Sequence, residues 1–182
     1  MTTTMWVILF LVIGLMIFFA LFLSMTAGRL DRLHKRIDVA ELALDAQLLR
    51  RSGIALELAA CGLLDPAASV VLSESAHAAR RSSDLSAAEQ DLVESNLTAS
   101  LNAALDADDY AEVMSEQGGP ELLAELSAAV KRVELSRRFL NDAVRACTQL
   151  RRQRTVRWFH LAGRTPWPVF REMSDHVDLL SG

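Results

Sequence analysis

Two polar clusters are the first places in this sequence where chemistry could reside. Asp45, Gln47 and Arg51 fall within one short stretch, and Arg137, Asn141 and Asp142 fall within another. Carboxylates beside arginines can in principle form an acid–base pair. A catalytic centre would also need a nucleophile, a histidine or glycines that open a cavity, and none accompanies either cluster. The cysteines, Cys61 and Cys147, lie far apart without a CxxC spacing or histidine neighbours, so they read as small apolar residues on helix faces and not as metal ligands. His34, His77, His160 and His176 sit on different segments with no i, i+4 pair, and read as solvated or capping side chains. No enzymatic activity, catalytic residue, cofactor, metal or small-molecule substrate is expected.

A third stretch mixes charge with aromatic surface. RRQRTVRWFHLAGR, from Arg151 to Arg164, carries five arginines with Trp158 and Phe159, and Trp167 and Phe170 follow. One reading is a solvated helix end whose aromatics fold back on the protein. The other is a docking surface built on Arg154, Arg157, Trp158, Phe159, Trp167 and Phe170, because Trp and Arg dominate binding hot spots. The net charge of −4 argues against a nucleic-acid partner.

The elements that must position these residues begin with an apolar run. MWVILFLVIGLMIFFALFLSM, Met5 to Met25, contains no charge. About 20 apolar residues suffice to cross a hydrocarbon core of roughly 30 Å as a helix. The leading MTTT has no basic residue, and the apolar run is longer than a signal peptide requires, so an uncleaved transmembrane helix is expected. Arg29, Arg32, Lys35 and Arg36 follow it directly. By the positive-inside bias the N-terminus is outside and everything after Ala27 is cytoplasmic, at the cell (inner) membrane.

Beyond the span, Leu30, Leu33, Ile37, Ala40, Leu44, Gln47, Arg51, Ile54 and Leu58 recur at threes and fours, the seam of a long helix. Gly62 and Asp65-Pro66 mark a turn and the start of a second helix, expected from Pro66 to about Leu105. The acidic stretch DADDYAEVMSEQGG, 106–119, reads as a loop. Pro120 opens a third helix with the seam Leu126, Val130, Val133, Arg137, Leu140, Val144 and Cys147, ending near His160. TPWP then excludes regular helix.

The expected fold is all-α: an N-terminal transmembrane helix continuous with an up-down-up antiparallel three-helix bundle. Residues 1–4 form a short external tail, 5–27 the span, 28–160 the cytoplasmic bundle and 161–182 an aromatic tail. In that order the acidic loop lies near the bilayer and the Trp/Arg-rich end some 55 Å below it. Arg51 lies about 36 Å down the first helix and Asn141 about 32 Å down the third. Asp45, Gln47, Arg51, Arg137, Asn141 and Asp142 are therefore expected in one polar layer, with Asp45, Asp142, Asp84 or Glu89 as carboxylates for the buried arginines.

Two of these stretches resemble a known family. LDAQLLRR, Leu44 to Arg51, is similar to the "IDVQLKRR" signature of LemA proteins, and LSRRFLNDAVR, Leu135 to Arg145, to their "ARRFYNDAVR". The GRTPWPVF close resembles the family's "GFKPxxFF" ending. Leu140 stands where that motif has tyrosine, and Val130 where a glutamate is usual. The resemblance implies a membrane-anchored, mostly cytoplasmic helical bundle and no established enzymatic activity.

The expected function is a non-catalytic accessory or scaffold subunit of a larger membrane protein complex, its partners being other membrane proteins met through the span and the bundle. The Ala, Arg and Leu content resembles that of actinobacterial proteins, which suggests association with a cytochrome bcc–aa3 respiratory supercomplex. The alternative is a free-standing LemA-like envelope or membrane-organising protein that self-associates on the inner leaflet.

Overall fold

The structure is a computed structural model and describes residues 2–159, 163 and 165–180. The expected helix end at His160 and the arginine Arg164 lie outside the described residues. Among the described residues there are six α-helices and no strand. The all-α expectation and the unbroken passage from apolar segment to bundle hold. α1, Thr2–Ala60, is a single helix that carries both. Neither glycine nor proline breaks it, because Gly14, Gly28 and Gly53 are isolated among strong helix formers.

α1 is apolar and long enough over its first third to cross a membrane, and none of that apolar window is buried by the rest of the chain. By compactness the chain divides into two units, residues 1–38 with 143–168, and residues 39–142 with 169–182.

In the second unit, α1 ends before Gly62, whose φ of +76° suits glycine. Asp65 then caps α2, Pro66–Arg80, its carboxylate accepting from the amides of Ala67 and Ala68. The expected second helix is not one rod. It breaks after Arg80 into a 3₁₀ turn, Ser82–Asp84, and restarts as α3, Ala87–Ala104. The physical cause is the local chemistry of Ser-Ser-Asp-Leu-Ser. Ser82 Oγ donates back to the Ala79 carbonyl, and Ser86 with Glu89 forms a reciprocal capping box that starts a new helix. α2 and α3 pack on each other as a hairpin.

The acidic stretch also differs from a loop. Asp106 accepts from the amides of Asp108 and Asp109 and opens α4, Ala107–Ser115. Its Val113 is fully buried in a core shared with Leu58, Leu64, Leu105 and Leu123. The segment therefore packs against the last turns of α1 within the second unit, after the extra α2–α3 hairpin has reversed the chain once more. α5, Gly119–Arg151, follows through Gly118 at φ +86°. Its seam is buried at Leu126, Val130, Val133 and Leu140.

In the first unit, Leu30 and Ile37 of α1 are buried, as are Val144, Cys147 and Leu150 of α5. α6, Arg154–Trp158, adds Val156 to this small core. The ring of Phe159 meets Phe19 edge-on, with centroids 5.1 Å apart. The Trp/Arg-rich end was expected far from the apolar segment; it lies against it.

Candidate functional site

α3 carries an unusual stripe. Asp91, Ser95, Thr98 and Asn102 recur at spacings of four, three and four, so one face of the helix is polar where a core stripe would be apolar. This face, together with α5, holds an extended segment formed by residues 169–177. In that segment Arg171, Met173, Asp175 and Val177 are buried and Glu172, Ser174 and His176 are exposed, the period-two alternation of extended chain.

Side chains do the work that a neighbouring strand would do. Asn141 on α5 donates its amide to the Arg171 carbonyl at 3.0 Å and accepts from the Arg171 N–H at 2.9 Å. Asn102 on α3 repeats the arrangement lower down, donating to the His176 carbonyl and accepting from the Asp178 N–H. Asp91 accepts from the Glu172 amide and from Arg171 Nε, both at 2.6 Å. Ser95 accepts from the Ser174 amide, and Thr98 donates to the Ser174 carbonyl. Ser127 donates to the Leu180 carbonyl at the lower end. The segment lacks ladder partners of its own, so these bonds satisfy its backbone.

The arginines of the two motifs tie into the same groove. Arg51 is fully buried; its Nη2 donates to Glu94 Oε2 at 2.6 Å and to the Glu94 carbonyl, and its Nη1 donates to Thr98. Arg137 forks onto Asp175 at 2.6 and 3.1 Å. Thr98 thus joins Arg51 to Ser174, and the next residue, Asp175, receives Arg137. Burial pushes the Glu94 carboxyl above its ordinary value, and the Arg51 guanidinium opposes that rise.

The carboxylates that serve the arginines are Glu94 and Asp175. Asp45 is exposed and accepts a long 3.4 Å bond from Gln90. Glu89 is used in the capping box, Asp84 lies in the 3₁₀ turn, and Asp142 is exposed. Gln47 is half-buried, its Oε1 enclosed without a hydrogen-bond partner among the described residues. The groove therefore gathers Arg51, Arg137 and Asn141 from the expected set. It adds Asp91, Glu94, Ser95, Thr98, Asn102, Arg171 and Asp175, which lie outside both motif stretches. The polar stripe on α3 and the alternation after Phe170 were the available signals.

Of the aromatic and basic set, Arg154 and Arg157 are exposed and Trp158 is 77% exposed. Trp167 lies under the Arg151 guanidinium, 4.3 Å from ring centroid to charge. Arg151 itself is buried, donating to the carbonyls of Thr165 and Pro166, and so pins the proline-rich return. Phe170 is partly exposed at the head of the extended segment. Among the described residues no three His, Cys, Asp or Glu side chains are grouped to hold a metal ion. No family model, curated protein or solved structure matches this chain.

Proposed function

We propose that the protein is a membrane-anchored, non-catalytic scaffold of LemA type that attaches a helical bundle to a larger assembly of membrane proteins. One observation carries this reading. α1 runs without a break from a largely exposed apolar segment into the buried seam of the bundle. A segment of that length and apolarity is stable only in hydrocarbon or against apolar partners.

The polar residues of the motif stretches support a structural role. Arg137 and Asn141 hold the C-terminal segment directly, and Arg51 is bound to Glu94 and Thr98 on α3, so all three serve as ties and not as a reactive set. The LemA assignment rests on the two motifs, Leu44–Arg51 and Leu135–Arg145. The proposed orientation has the N-terminus outside and the bundle in the cytoplasm, and rests on the basic residues from Arg29 to Arg36.

Purification of the tagged full chain from native membranes after mild cross-linking tests the reading. Heterotypic membrane-protein neighbours in fixed stoichiometry are expected, with respiratory supercomplex subunits as the narrowest form of the proposal. A ladder of homotypic products alone would instead favour the self-associating envelope protein.

A further inference from the structure

Charge is divided sharply between the two compact units. Residues 1–38 and 143–168 hold ten Lys and Arg against two Asp, whereas the remaining residues hold nine against 21 acidic side chains. A chain of net charge −4 therefore contains a unit of about +8. That unit is the one that includes the exposed apolar segment.

Its basic residues come from two distant parts of the sequence. Arg29, Arg32 and Arg36 follow the apolar run on α1, and Arg152, Arg154 and Arg157 lie at the end of α5 and on α6; all six are exposed. Phe159 fixes where the second group sits. Its ring contacts Phe19, which is six residues inside the apolar run from Met25, a height of about 9 Å by helical rise. Amphipathic elements lying on a bilayer bury their apolar face to about that depth, roughly 5–10 Å into the boundary between headgroups and acyl chains. Trp158, beside Phe159, is the most exposed aromatic of the chain and has an indole N–H suited to the carbonyl region.

We infer that Arg152, Arg154, Arg157, Trp158 and Phe159 form a second membrane contact, which seats on anionic phospholipid headgroups around the base of the span. The occupant follows from charge complementarity and from continuity with the span: the arginines can reach phosphate while the two rings enter the acyl boundary. The inference rests on the reading that residues 5–25 lie in a bilayer.

Two single-tryptophan forms of the full chain separate the two ideas. One keeps Trp6 (Trp158→Phe with Trp167→Phe), and the other keeps Trp158 (Trp6→Phe with Trp167→Phe). Each is reconstituted in nanodiscs of phosphatidylcholine, with or without phosphatidylglycerol, containing lipids brominated along the acyl chain. The inference expects quenching of both tryptophans, a blue shift of Trp158 that increases with phosphatidylglycerol, and loss of that increase in Arg152→Gln/Arg154→Gln/Arg157→Gln. These three side chains are exposed, so helicity should be unchanged in the variant. Quenching of Trp6 with an unquenched, red-emitting Trp158 overturns the second contact and leaves the span intact. Quenching of Trp158 that is indifferent to phosphatidylglycerol overturns the anionic-headgroup assignment. Failure of both tryptophans to quench overturns the span reading and this inference with it.

Discussion

Arg51 and Glu94 lie 43 residues apart in the chain and meet at 2.6 Å with neither side chain open to solvent. The pair joins α1 to α3 at the level where Thr98 passes the contact on to the C-terminal segment. Breaking a buried pair from one side strands a charge, at a cost of about 3–5 kcal/mol, whereas replacing both partners by apolar side chains is often neutral. Arg51→Met and Glu94→Leu should each destabilise by about that amount. The double variant should recover most of the loss. Urea denaturation of the detergent-solubilised chain, followed by circular dichroism, measures all three.

The same pair sets a pH dependence. Burial raises the Glu94 carboxyl above its ordinary value of 4.5, so the folded protein holds that proton to higher pH than the unfolded chain does. The contribution is therefore fully present below 4.5 and is lost as pH rises through the folded value. Glu94→Gln should remove this component from the stability–pH profile. A wild-type and variant profile of equal slope across that interval would contradict the assignment.

The extended segment should show selective protection from hydrogen exchange. The amides of Arg171, Glu172, Ser174 and Asp178 each donate to a side chain on α3 or α5. Asn141→Ala removes both bonds to Arg171, and an unmet buried group costs about 1–3 kcal/mol. Protection at residues 171–172 should fall roughly ten-fold or more, while the α1 seam keeps its own.

The long helices were legible in the sequence because their seams are regular. Leu30, Ile37, Leu44 and Arg51 recur every seven residues, Ile54 and Leu58 follow at three and four, and all six are buried. Asp65-Pro66 announced the α2 start that its carboxylate caps. The break at Ser82–Asp84 was harder to see, because it rests on serine hydroxyls bonding back to the chain, with neither glycine nor proline to mark it. That one turn adds a reversal of the chain before α4 and α5. The groove was legible only in part. Arg51 and Arg137 stood out as charges in apolar seams, but their partners lie on α3 and on an extended segment whose pairing depends on tertiary contact. Glu94 is one carboxylate among many, and no local pattern marks it as the partner of Arg51.

The two cysteines should differ in reactivity. Cys61 is exposed at the end of α1, whereas Cys147 is fully buried and its thiol is raised by burial, with Arg151 opposing. Maleimide labelling of the folded protein should modify Cys61 rapidly and Cys147 only on unfolding, as read by mass spectrometry of the peptides.

The return of the chain's basic end to its apolar helix is the central structural claim, and the contact of Phe19 with Phe159 tests it most directly. In a Cys61→Ser/Cys147→Ala background, Phe19→Cys and Phe159→Cys place one thiol on each segment. A short bifunctional thiol reagent applied to the reconstituted chain should give an intramolecular cross-link that each single cysteine lacks. Two thiols that both react with a monofunctional reagent yet never join within one chain would contradict the account.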